Sequence, residues 1–244
     1  MTAQLRSELL KIRSTRTTLG LTLGMVALIA FITLVASYTE DELTLSRGTD
    51  QLDLLGISSF GGAFAAFVGV MAVTSEFRHG TIRPTFLAEP RRALVIAVKG
   101  VAGALAGLVL GLIAVGLTFG LMTLAFATRG ISFALDGGDV AVLLLGTIAG
   151  AALWGALGAG LGAIVRSQVG ALIGLAVWVL LAEHILFGLV PSVGRFLPGI
   201  ASDAFRGATT NDLLSPLAGG LLFLAYALVA AVAGALVTER RDVE

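Results

Sequence analysis

Side chains able to do chemistry are scarce and scattered in this sequence. It has no cysteine and only two histidines, His79 and His184. That excludes disulfides, thiolate catalysis, Fe–S clusters and cysteine-ligated zinc, and argues against a histidine-rich metal site. The two lysines are Lys11 and Lys99. Neither follows a glycine, as the phosphate-cradling pattern Gly-x-x-x-x-Gly-Lys-Ser/Thr requires, so no P-loop is present. Ser58, Ser59 and His184 supply the residue types of a serine protease, but small-Ser-Ser runs are ordinary packing elements in apolar helices. Glu183 and His184 adjoin inside an apolar run. Consecutive helical residues point about 100° apart, so the two share no face. Buried ionisable groups mark transport paths in membranes, which makes Glu183 a candidate substrate-path or outer-gate residue. His184, Trp154 and Trp178, which fall within apolar runs, join it as candidates for lining that path.

The densest charge lies in residues 75–92, between two apolar runs. Glu76 and Arg78 continue a helix that Gly80 should end. A new short helix is expected from Thr81, whose hydroxyl would cap it, with Pro84 in its first turn. Pro90 ends that helix, and Arg91 and Arg92 anchor the chain beyond. The expected product is a short amphipathic helix offering Phe86 and Leu87 to a partner.

The rest of the chain exists to hold these few groups in a bilayer. Of 244 residues, 57% are hydrophobic and 13% charged, with 16 basic and 16 acidic residues and a mean hydropathy of +0.96. Soluble domains carry roughly 25% charged residues, so this composition describes an integral membrane protein, with no basic footprint for nucleic acid. A helix needs about 20 apolar residues to cross the hydrocarbon. Six runs qualify, at about 19–38, 54–74, 94–127, 140–165, 169–190 and 216–237. No period-two alternation supports a β-barrel, so the fold class is an all-α bundle of six transmembrane helices. With the N-terminus inside, the inner segments hold 12 Lys and Arg residues and the outer segments hold Arg47, Arg129, Arg195 and Arg206. That bias places both termini in the cytoplasm.

Residues 1–17 read as an amphipathic interfacial helix with an apolar stripe of Leu5, Leu9 and Ile12. Segment 191–215 reads as an outer re-entrant or interfacial element, and 238–244 as a cytoplasmic tail. Lys99, near the inner end of the third span, should snorkel to the interface. Gly103, Gly107 and Gly111, then Gly116 and Gly120, mark the third span; Gly146/Gly150 and Gly158/Gly162 the fourth; Gly170/Gly174 the fifth. Small residues at this spacing let helices pack closely. One buried carboxylate and no internal duplication weigh against a secondary transporter. The absence of a polar ring weighs against a channel; these two remain the alternatives to an ATP-driven system.

The run Glu76-Phe77-Arg78-His79-Gly80-Thr81, followed by Leu87, Pro90 and Arg91-Arg92, resembles the "E-(F/Y)-R-x-G-T … L … P-x-R" cytoplasmic loop of ABC-2 type transporter permeases. The basic N-terminal run with Lys11, Arg13 and Arg16, the six spans, and the closing Arg240-Arg241-Asp242-Val243 fit the same resemblance. It implies a type V exporter-like bundle in a bacterial inner (plasma) membrane, dimerising with a second permease copy or a homologous permease. It also implies an ABC ATPase partner that holds ATP and Mg; this chain would bind no cofactor. The 75–92 loop would be the coupling helix, with Glu76, Phe77, Arg78, Gly80, Thr81, Phe86, Leu87, Pro90 and Arg91 as coupling residues. The cargo implied is a hydrophobic or amphiphilic drug, antibiotic peptide or lipid.

Overall fold

The computed structural model describes residues 2–240; Arg241, Asp242 and Val243 of the expected tail lie outside them. Among the described residues every regular element is helical. In chain order these are α1 (Thr2–Ser14), α2 (Arg16–Thr39), α3 (Glu42–Leu45), α4 (Gly48–Gly56), α5 (Phe60–Arg78), α6 (Ile82–Ala88), α7 (Arg92–Arg129), α8 (Gly137–Val165), α9 (Gln168–Val177), α10 (Glu183–Leu189), α11 (Pro191–Gly194), α12 (Pro198–Phe205) and α13 (Pro216–Arg240). A 3₁₀ turn, Ile57–Ser59, joins α4 to α5, and a π-helical turn, Trp178–Ala182, joins α9 to α10.

Among the described residues six helical spans are long and apolar enough to cross a membrane: α2, α4–α5, α7, α8, α9–α10 and α13. They match the six expected runs in number and order. The second span begins earlier than expected, because α4 and the 3₁₀ turn run directly into α5 as Gly48–Arg78. Asp50, Gln51 and Asp53 hide that start from a hydropathy count.

The spans are unequally packed. α8 is the central helix, against α5, α7 and α13. In the second span 61% of the apolar window is buried, against 11% in the fifth, so the fifth lies at the periphery. The seam between α7 and α8 depends on missing side chains. A Cβ at Gly107 would strike the Ala151 carbonyl, and one at Gly155 would strike that of Gly103. Gly116, Gly120 and Gly174 meet nothing. Within α7 the four-residue spacing therefore marks a packing seam only along the first half, whereas on α8 Gly158 and Gly162 meet the Ala66 and Val70 carbonyls of α5.

The ends of the bundle differ in chemistry. One, the near pole, holds α1, the α5–α6–α7 connection and the 166–167 turn. The other, the far pole, holds α3, α4, α11 and α12. At the far pole the fully buried Gln51 donates to the carbonyls of Leu45 (2.8 Å) and Ser132 (3.0 Å) and accepts from the Ala134 amide (2.9 Å). One side chain thereby ties α4 to the loop before α8.

Candidate functional site

The near pole is built around four charges from three helices. Lys99 of α7 is completely buried. Its Nζ lies 2.7 Å from Glu8 Oε2 of α1 and 2.8 Å from Glu76 Oε1 of α5, and donates to the Ala72 carbonyl at 3.2 Å. Lys11, one turn along α1, meets the same carboxylates: Glu8 Oε1 at 2.7 Å and Glu76 Oε1 at 2.8 Å. Two acids and two bases thus alternate in a neutral cluster, the arrangement a low-dielectric site demands. Partial burial works against the Lys11 charge, but the hydrogen bonds to Glu76 and Glu8 outweigh it, and its pKa sits above the ordinary 10.5.

Lys99 does not snorkel as expected. A lone lysine in an apolar helix would reach for the headgroups, but two carboxylates arrive from neighbouring helices and hold it inside. The sequence did carry a signal: Glu8 interrupts the Leu5–Leu9–Ile12 stripe of α1, and an acid inside an apolar stripe asks for a buried base. Glu8, Lys11 and Lys99 are the site residues that sequence reasoning missed.

The connection from Glu76 to Arg92 is anchored to this cluster. α5 stops at Arg78, and Gly80 adopts φ 70°, the left-handed conformation that ends a helix most cheaply at glycine. α6 follows as Ile82–Ala88. Thr81 precedes it but makes no side-chain cap, a correction to the expected hydroxyl cap. Pro84 falls in the first turn, as expected.

Phe86 and Leu87 part company. Ile82 and Phe86 stand four residues apart on one face, buried with Val95 against Phe77, while Arg92 lies 5.5 Å over the Phe86 ring. Leu87 is 84% exposed. The expectation that both residues face a partner is corrected: Phe86 anchors α6 and Leu87 alone projects.

The remaining residues of the connection brace it. Phe77 carries the Arg166 guanidinium 4.9 Å over its ring, and Arg78 Nη1 donates to Gln168 Oε1 at 3.2 Å. These contacts tie the connection to the turn between the fourth and fifth spans. Beyond the exposed Pro90, Arg91 grips Glu89 bidentately, Nε to Oε1 at 2.9 Å and Nη2 to Oε2 at 3.1 Å. That pair holds the Glu89 carboxyl below its usual range and raises Arg91. An open cleft of about 820 Å³ lies between α1, α5 and α6, lined by Ser7, Glu8, Lys11, Met71, Glu76 and Thr85 among others.

The four candidates for the substrate path do not form one site. Glu183 is fully buried; its Oε2 accepts from the amides of Gly199 (2.6 Å) and Ile200 (3.3 Å) at the start of α12. His184 is exposed, with Nδ1 3.0 Å from the Val179 carbonyl in the π turn, so the two neighbours face apart. Trp154 donates to Ser202 Oγ at 3.1 Å and packs on Phe223, ring centroids 4.9 Å apart. Trp154 and Trp178 line a common apolar cavity whose walls include neither Glu183 nor His184. Ser58 Oγ donates to the Leu55 carbonyl, at 2.7 Å, the behaviour of a packing serine. Among the described residues no cluster of three or more His, Asp or Glu could hold a metal.

No family model matches the chain, and no curated protein matches it significantly.

Proposed function

We propose that this chain is the permease subunit of an ATP-driven ABC-2 exporter, moving a hydrophobic or amphiphilic cargo out of the cytoplasm or inner leaflet. The observation that carries the reading is the construction of the 76–92 connection. A short helix is bounded by Gly80 and Pro90, bolted down through Ile82 and Phe86, and left with Leu87 fully presented. A loop that only reverses the chain needs no such anchoring. A helix that takes a push needs a rigid base and an exposed contact.

The push comes from a separate ATPase, since neither lysine of this chain lies in a phosphate cradle. ATP and Mg sit on that partner. Its surface grips α6 through Leu87 and enters the cleft between α1 and α6. Glu76 shares Lys99 and Lys11 with Glu8, so displacement of α6 reaches α1 and α7 together. The spans then rock against those of a second permease copy as rigid bodies. The near pole faces the cytoplasm, in keeping with the arginine bias. The spans offer mainly aliphatic and aromatic side chains, so an apolar cargo suits the path better than an ion or sugar.

The test is co-purification with a P-loop-bearing subunit, followed by ATP-dependent export from reconstituted vesicles. Export expected with ATP should vanish, with ATP hydrolysis persisting, in Arg78→Ala and Leu87→Asp. Transport driven by a proton gradient without ATP would overturn the reading.

A further inference from the structure

Helix α1 turns its only acid inward. Glu8, the one carboxylate in α1, is 3% exposed and meets Lys99 at 2.7 Å. Ile12, one turn on, packs against the main core, and Leu5 and Leu9 are half-buried. The opposite side of the helix differs in kind. At 100° per residue, Arg6, Leu10 and Arg13 each lie about 140–160° around the helix from Glu8. All three are exposed, Leu10 by 57%. Arg6 and Arg13 stand about 10 Å apart along one face, with Leu10 between them. Among the described residues no acid pairs with either arginine.

We infer that this outward face of α1 binds anionic phospholipid headgroups of the leaflet at the near pole. Arg6 and Arg13 each meet a phosphate, and Leu10 dips between them toward the acyl chains. The depth of α1 favours lipid over a soluble partner. Lys99, which holds Glu8, also donates to the Ala72 carbonyl, and Ala72 lies six residues, about 9 Å, inside the end of α5. Helix α1 therefore lies along the flank of the bundle, beside its last turns, where headgroups surround it. An exposed leucine flanked by arginines suits that boundary, since the long basic side chains reach outward while the apolar one stays in. The charge is uncompensated as well, because Glu8 is already matched by Lys99 and Lys11. With Glu8 and Ile12 committed to the bundle, the pull of the bilayer on α1 is mainly electrostatic and follows lipid charge and ionic strength. Near an anionic leaflet each such arginine is worth about fivefold in binding. A headgroup held there steadies α1, and with it the grip of Glu8 on Lys99.

The test needs no ATPase and holds whether or not the chain is a permease. It uses the whole protein in nanodiscs of phosphatidylcholine, alone or mixed with phosphatidylglycerol. Amide exchange across α1 should slow about tenfold in the anionic mixture, and high salt should abolish the difference. Arg6→Gln with Arg13→Gln should remove most of the slowing, and Arg6→Glu with Arg13→Glu should reverse its sign. In phosphatidylcholine alone both variants should exchange like the parent, since neither touches Glu8 or Lys99. As a control, Arg83→Gln with Arg240→Gln removes two exposed arginines of the same pole outside α1, and the slowing should persist. Equal exchange of α1 in the two lipids overturns the site and leaves the face to a soluble partner. Loss of the slowing in the control pair overturns it too, because the response would then belong to the total charge of the pole.

Discussion

The near and far poles of this bundle bury polar groups by opposite means. At the near pole Lys99 and Lys11 meet Glu8 and Glu76, so every charge has an opposite charge within contact distance and the cluster as a whole is neutral. At the far pole Glu183 has no ion pair, and one oxygen accepts two amides at a helix start; each pole leaves one carboxylate oxygen, Glu76 Oε2 and Glu183 Oε1, buried without a hydrogen-bond partner. Paired charges are hard to separate, since moving one helix strands charges on the others. A carboxylate on backbone amides releases its helix at the loss of a cap. The near pole is therefore the harder of the two to pull apart.

Substitutions can break that contrast, beginning with the largest effect. Lys99→Met leaves Glu8 and Glu76 sharing Lys11 alone, with one buried negative charge in excess, and should cost about 3–5 kcal/mol, read as a fall in the thermal midpoint of the purified protein. Adding Glu8→Gln to Lys99→Met should recover most of that loss, because it leaves Lys11 paired with Glu76 in a neutral cluster. If the double variant is no better than the single, the cluster is not electrostatic in origin.

Next in size, Phe86→Ala should loosen α6 by about 3 kcal/mol as a buried aromatic is removed. Leu87→Ala, on the exposed face, should leave stability unchanged while weakening capture of the proposed ATPase partner. Equal effects of the two on stability would contradict the division between anchor and contact. At the far pole Glu183→Ala should cost about 0.5–2 kcal/mol, the range of a lost helix cap. Glu183→Gln, which keeps an acceptor oxygen, should cost less. A Glu183→Ala penalty matching that of Lys99→Met would erase the difference between the poles.

The smallest expected effect is one of pH. Lys11 has its pKa raised above 10.5 by Glu76 and Glu8, so its contribution is fully present below pH 10.5 and is lost as the pH climbs through the raised value. Proteolysis of α1 should quicken in that alkaline range, and in Lys11→Met it should show no such step.

Hydropathy alone named six spans in the right number and order, because crossing apolar length is a property of consecutive residues. The boundaries of 75–92 were equally legible: Gly80 and Pro90 act within a residue or two of themselves. Facing was not. Neither Phe86 nor Leu87 announces which of them points inward until Val95 and Phe77 are in place. The glycines of α7 show the same limit, since Gly107 and Gly120 share one spacing but only Gly107 meets another backbone.

Local sequence thus determined what each segment is: helix, crossing, turn or break. Tertiary structure decided what each polar group is for. Lys99 looked like a snorkelling lysine and Glu183 like a path carboxylate, because a single helix offers them only lipid or water. Their actual partners lie 91 and 16 residues away in the chain, and only the packing of separate helices brings partners so distant into hydrogen-bonding reach.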